Sequence, residues 1–186
     1  MATELRGSHV HHHAVQFYGN DAELLTTVGT FLSEGLIAGQ PAIVIATPEH
    51  RIAIEQALAS HLVDVDAARR LGDLIMLDAD EILSTFMVDH APVGSLFRRS
   101  VGDIIDQTRR GRERTPVRAY GEMVDVLWNN LAETHTFSLL CGYSIGNFYK
   151  QTDKFEEVCA LHTHVHPHNE RVLPFTRTAD VETAGV

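Results

Sequence analysis

The segment Ala42-Ile43-Val44-Ile45-Ala46, followed by Thr47 and Pro48, decides the fold class of this chain. Its apolar residues are mostly β-branched, a composition typical of a strand that is buried on both faces of a parallel sheet. Thr47 is a suitable N-cap, and Pro48 is a favourable first residue for a helix. We therefore predict a strand over 42–46 that leads directly into a helix ending at about His61.

The same alternation of apolar runs and helical spacing continues on both sides of this segment. Further strands are predicted at 13–18, 73–77, 117–120 and 137–141. Helices are predicted at 20–35, from about 80, at 93–110, through 128–131 and at 153–164. Strands that alternate with helices build βαβ units. We therefore expect a three-layer α/β fold, with a mostly parallel sheet and helices on both faces.

The length of 186 residues suits a single domain. Residues 1–12 read as a flexible N-terminal segment, in which His9 to His12 resemble a tag or linker. We expect the folded domain to span 13–168, and 169–186 to form a C-terminal extension that is partly disordered.

Charge and composition exclude several classes of function. The net charge of -10 argues against direct binding to nucleic acid, which requires a basic face. No apolar run approaches the ~20 residues that cross a bilayer, and the N-terminus does not resemble a secretory signal. The cysteines, Cys141 and Cys159, fit buried thiols better than a disulfide scaffold. We therefore expect a cytoplasmic protein without a membrane anchor.

The junction after the first fully apolar strand lacks the features of a nucleotide-phosphate loop. Thr47 to Arg51 contains no glycine and no lysine, and Glu49 would repel a phosphate. ATP hydrolysis is therefore not expected. A smaller anion held at the helix N-terminus by His50 or Arg51 remains an alternative.

In open parallel sheets, ligands bind beyond the carboxyl ends of the strands. The polar residues that follow each apolar run are therefore the candidates for ligand binding. Glu122 is the most informative, because a carboxylate there can bind a ligand or act as a general base, or can simply favour a helix N-terminus. An enzyme would need Glu122 with His50 or His13 as an acid–base pair. No complete catalytic constellation is visible, so no catalytic residue is assigned. The ligand-binding candidates are His13, Tyr18, Thr47, His50, Arg51, Tyr120, Glu122 and Tyr143.

Histidine is unusually abundant, with 12 in the chain, and it recurs between Leu161 and His168. On a helix, His162 and His166 would lie one turn apart. On a strand, His164 would join them on one face. With His13 nearby, these imidazoles would suit a transition metal, or haem in a redox or gas sensor. Two alternatives stay open: a helix end whose histidines offset the dipole, and a pH-responsive cluster.

Three groups of motifs resemble the MEDS family, the sensory domain named from methanogens, methylotrophs and a dichloromethane-responsive regulator. The first is His13-Ala14-Val15-Gln16-Phe17-Tyr18 with Gly35-Leu36 and Gly39, and the second is Ile43 to Thr47 with His50-Arg51. The third joins Val117 to Val124, Leu139 to Tyr143 and His162 to Pro167. Together they cover about 13–168. The chain departs from the pattern at Trp128–Asn129, where the family has a further acidic helical stretch.

The resemblance implies a RecA-like core, akin to the circadian-clock ATPases, whose nucleotide loop has been lost. It also implies a sensory role with small, hydrocarbon-derived ligands. Relatives of this kind act alongside histidine kinases, anti-sigma machinery or transcription regulators. We therefore expect the signal to pass to a separate signalling protein of one of these kinds, and an exposed Phe or Trp surface would support a homo-oligomer.

Overall fold

The computed structural model describes residues 12–109, 111–112, 115–122, 125–149 and 151–166. Residues 1–11 of the expected N-terminal segment and the whole of the expected C-terminal extension, 169–186, lie outside these residues, as do Pro167 and His168.

Six parallel strands form one sheet at the centre of the described residues, in the order β3-β2-β6-β7-β1-β8. Their bounds are β1 His12–Tyr18, β2 Ala42–Ala46, β3 Leu74–Asp78, β6 Val117–Gly121, β7 Phe137–Ser144 and β8 His164–His166. The intervening β4 (Met87–Val88) and β5 (Ala91–Pro92) form a separate antiparallel hairpin. The predicted α/β class and the parallel sheet are confirmed.

Helices cover both faces of this sheet. One face packs against α1 (Asp21–Ile37), α2 (Pro48–Ser60) and α3 (Val65–Leu71). The other face packs against α4 (Ala79–Ser84), α5 (Gly94–Thr108), α6 (Asp125–Ala132) and α7 (Thr152–Leu161). Within the described residues, no helix combines the length and the apolarity that a membrane span requires.

Side chains cap the first two helices, and Thr47 caps α2 as predicted. The side chain of Asn20 accepts a hydrogen bond from the backbone N–H of Glu23 at 3.1 Å, and the Glu23 carboxylate accepts one from Gly19 N–H. The Thr47 hydroxyl likewise accepts from the N–H of His50, so α2 begins immediately after β2. This short connection holds the first turn of α2 against the carboxyl end of the sheet.

Two predictions were wrong, one at each edge of the sheet. The apolar run at 73–77 predicts a second buried strand, but it forms the edge strand β3, where only Leu74 is fully buried. The last helix ends at Leu161, three residues before the predicted end, because the chain then pairs as β8 with β1. The N–H of Thr163 donates to the carbonyl of His13 at 2.7 Å, which begins that pairing.

The strand order places a topological switch point between the neighbouring strands β2 and β6. The chain continues from β2 to β3 on one side and from β6 to β7 on the other. The helices that follow, α2 and α6, pack on opposite faces of the sheet. At such a point the two connections diverge and leave a crevice outside the strand ends, where α/β proteins bind ligands.

Candidate functional site

Glu122, the first residue after β6, lies at this switch point and is only 12% exposed. One carboxylate oxygen, Oε1, lies 2.5 Å from Nδ1 of His50 and accepts a hydrogen bond from the Tyr120 hydroxyl at 2.9 Å. The other, Oε2, accepts one from the backbone N–H of Thr47 at 3.2 Å. One carboxylate therefore joins the end of β6 to the first turn of α2.

Tyr120 reaches this carboxylate from within the sheet because β7 has a glycine beside it. A Cβ atom on Gly142 would lie 2.8 Å from the Tyr120 hydroxyl and 2.9 Å from Leu24 Cδ1, so a larger residue would displace the ring. Burial, followed by the charge of Glu122, raises the pKa of Tyr120 well above its ordinary value of 10.0. Tyr120 is therefore a neutral hydrogen-bond donor at physiological pH.

The outer side of the cluster is formed by Tyr18 and Asp21. Asp21 Oδ1 lies 3.6 Å from Nε2 of His50, and the Asp21 side chain is 71% exposed. Burial raises the pKa of Tyr18, and the charges of Glu122 and Asp21 add to the increase. The cluster thus holds two carboxylates, a histidine and two tyrosines, with its open side at Asp21.

The Arg51 guanidinium is directed to the neighbouring strand end. Its Nη2 donates to Oδ2 of Asp78 at 2.7 Å, while Oδ1 of Asp78 accepts from the backbone N–H groups of Asp80 and Glu81 at the start of α4. Arg51 therefore links α2 to the end of β3 and does not contact Glu122 in the described hydrogen bonds.

Tyr143 lies on the opposite face of the sheet from Tyr18 and Tyr120. Its ring belongs to an aromatic group in which the neighbours are Phe17, at 6.4 Å between centroids, and Phe148, at 5.8 Å. Phe155 of α7 completes this group. The structure therefore separates Tyr143 from the other strand-end candidates.

His13 is also separate from the Glu122 cluster, and it contacts His162, as the sequence had suggested. The two ring centroids are 4.0 Å apart, and Cys141 Sγ lies 3.3 Å from Nε2 of His13. His164 and His166 do not join this group, because they are in register with Ala14 and Gln16, whose side chains point to the other face from His13. Both are exposed.

Three residues of the Glu122 cluster and the His13 group were not predicted as site residues from the sequence: Asp21, Cys141 and Asn129. Asp21 could have been found, because it follows the end of β1 and the strand-end rule applies to it as to Thr47. Cys141 and Asn129 contact His13 across 128 and 116 residues of sequence. No local pattern indicates a contact of that separation.

The fold and the Glu122 cluster define a parallel α/β domain with a polar, carboxylate-centred site at its topological switch point. The chain belongs to the MEDS family, described as the methanogen/methylotroph, DcmR sensory domain, whose sequence model matches residues 12–128. The matched region contains β1, β2 and β6 with the whole Glu122 cluster, and it ends at Trp128, where the family resemblance departs. None of the curated proteins compared with this chain matches it.

Proposed function

We propose that this protein is a sensory domain that binds a small ligand at the Glu122 cluster and regulates a partner protein. The family is a sensory one, which supports the general role. The observation that carries the proposal is the position of Glu122, His50 and Thr47 at the switch point between β2 and β6. The crevice rule for open parallel sheets predicts ligand binding there.

The chemistry of the cluster favours a ligand that donates hydrogen bonds. Its acceptors are the carboxylates of Glu122 and Asp21, and the Glu122 carboxylate already accepts three hydrogen bonds from the protein. A small alcohol or amine, including a hydrocarbon derivative of this type, would compete for the same oxygen atoms. An anion would be repelled by the two carboxylates.

The same contacts suggest how ligand binding could change the surface that a partner protein recognises. Glu122 accepts hydrogen bonds from the N–H of Thr47, the N-cap of α2, and from the imidazole of His50 in its first turn. A ligand that takes over one of these hydrogen bonds would shift α2 relative to β6. We propose that this shift is recognised by a separate partner, either a histidine kinase, an anti-sigma protein or a transcription regulator, in the cytoplasm.

We further propose that the domain shares a RecA-like ancestry and has lost its phosphate-binding loop. In such a scaffold the N–H groups at the start of the first helix after the strand would hold phosphate. Here the N–H of Thr47 donates to Glu122, so a carboxylate takes the place of the anion. This supports a binding protein without ATP hydrolysis, and we assign no catalytic step to the cluster.

Thermal unfolding in the presence of small alcohols, amines, carboxylic acids and nucleotides tests the proposal, since a ligand of the folded state raises Tm. We expect alcohols or amines to stabilise the wild type and the Glu49→Gln variant, which alters an exposed carboxylate in the same turn of α2. The Glu122→Gln variant should not respond. Stabilisation by ATP with Mg²⁺, or an equal response of Glu122→Gln, would contradict the proposal.

A second candidate function, a metal-based sensor, is favoured by a different group of side chains. This group retains His13 and His162 and replaces His164 and His166 with Cys141.

A further inference from the structure

His13, Cys141 and His162 form a buried group between the sheet and α7. They are 5%, 1% and 8% exposed, and one ligand atom from each lies within 4.8 Å of the other two. The three residues come from β1, β7 and the end of α7. It is the one set of this kind among the residues that the structure describes.

The orientation of the His13 ring is fixed by Asn129 of α6. The Asn129 side-chain NH₂ donates to the carbonyl of Leu161 at 3.1 Å, so its Oδ1 is the atom that faces His13. Oδ1 lies 2.8 Å from Nδ1 of His13 and can only accept a hydrogen bond. The ring proton is therefore on Nδ1, and Nε2, which is 3.3 Å from the Cys141 sulfur, carries the lone pair.

The His162 ring is fixed in the same way by a backbone group. Its Nδ1 lies 2.6 Å from the carbonyl of Val158, one turn earlier in α7. A carbonyl accepts only, so the proton is again on Nδ1 and the lone pair is on Nε2. Metal-binding histidines typically donate one ring N–H to a carbonyl or carboxylate in this manner, which leaves the other nitrogen as the ligand.

We propose that His13, Cys141 and His162 bind a zinc-class metal ion through Nε2, Sγ and Nε2. Two imidazoles and a thiolate suit Zn²⁺, which is bound at about 2.0–2.3 Å in tetrahedral geometry. Donor atoms around such an ion are about 3.3–3.7 Å apart, as follows from those bond lengths. The His13–Cys141 separation of 3.3 Å already meets this requirement.

Binding replaces the proton of the Cys141 thiol, which passes to solvent as the sulfur–metal bond forms. The described residues supply three ligands, so the fourth position would be filled by water or by a small molecule. A haem held between His13 and His162 as its two axial ligands does not fit, because ring centroids 4.0 Å apart leave no room for the macrocycle.

Cobalt substitution tests this site most selectively. The purified full-length chain, reduced and stripped of metal, would be titrated with Co²⁺ and followed by absorption. A sulfur-to-cobalt charge-transfer band requires a cysteine ligand, so the histidines outside the site cannot produce it. We expect this band in the wild type, together with binding of about one Zn²⁺ per chain by native mass spectrometry.

Variants of the proposed ligands, compared with control variants, test which residues bind the metal ion. Cys141→Ala should lose the charge-transfer band, whereas Cys159→Ala should keep it, although both remove a thiol from the core on the α7 face. His162→Gln should weaken Zn²⁺ binding strongly, and His164→Gln, the same change at an exposed histidine, should not. Asn129→Ala, which removes the hydrogen-bond partner of His13 together with the hydrogen bond to the Leu161 carbonyl, should weaken it about 10–100-fold.

Absence of the cobalt–thiolate band in the folded wild type, or its persistence in Cys141→Ala, would overturn the proposal. The group would then be a neutral network in which the Cys141 S–H donates to His13. If Cys141→Ala does not fold, the Zn²⁺ affinities of His162→Gln and Asn129→Ala still test the proposal. The result can be distinguished from that of the Glu122 proposal, because the cobalt band reports a thiolate ligand and the hydrogen bonds of Glu122 to His50, Thr47 and Tyr120 involve none of the substituted residues.

Discussion

Nδ1 of His50 lies 2.5 Å from Oε1 of Glu122, although 72 residues separate them in sequence. This contact connects the two strands that flank the switch point, because His50 follows β2 and Glu122 follows β6. It makes the carboxylate of Glu122 both a structural link and the candidate ligand group. Removing its charge should therefore affect stability as well as binding.

Glu122→Gln should reduce the free energy of unfolding by about 1–3 kcal/mol, because hydrogen bonds to a charged acceptor are worth more than those to a neutral amide. Urea denaturation measures this loss. The control Glu49→Gln alters an exposed residue and should change stability by no more than about 0.5 kcal/mol. Equal effects of the two variants would show that Glu122 has no structural contacts of consequence.

Gly142→Ala should destabilise the domain by about 1–3 kcal/mol, because the added Cβ overpacks against Tyr120 and Leu24. Gly146→Ala is a matched control, since its Cβ would meet only the Ser144 hydroxyl at an ordinary 3.6 Å. Thermal and urea unfolding of both variants checks the difference. A Gly142→Ala protein as stable as Gly146→Ala would contradict the tight approach of Tyr120 to β7.

The raised pKa of Tyr120 predicts a loss of stability at alkaline pH. The folded state holds this phenol proton more tightly than the unfolded state. The resulting stabilisation is therefore complete below the ordinary pKa of 10.0 and decreases as pH rises above it. Urea unfolding between neutral and alkaline pH should show this decrease in the wild type. In Tyr120→Phe the decrease should be smaller, and an unchanged profile would contradict the assignment.

Asp78→Ala should cost about 1–3 kcal/mol, because Asp78 both caps α4 and pairs with Arg51. Asp103→Ala, at an exposed position in the middle of α5, should cost no more than about 0.5 kcal/mol. If Asp78→Ala were as stable as the control, the link between α2 and β3 would carry no measurable free energy.

The sequence could predict the sheet because its inner strands are continuous apolar runs, as at Ala42–Ala46. It could also predict most of the Glu122 cluster, because Thr47, His50 and Glu122 directly follow strands, and parallel strands end at one edge. It could not predict β8, a three-residue strand whose pairing with β1 depends on contacts 150 residues apart. Cys141 could not be assigned to the histidine group for a similar reason, because 128 residues separate it from His13.

The site assignment is tested most directly by amide chemical-shift mapping with the compound that stabilises the protein best in the thermal screen. The account predicts that the largest shifts occur at the amides of Thr47, His50 and Glu122, and that Glu122→Gln abolishes them while Glu49→Gln preserves them. Largest shifts elsewhere, for example around His13 and Cys141, or an unchanged response of Glu122→Gln, would contradict it.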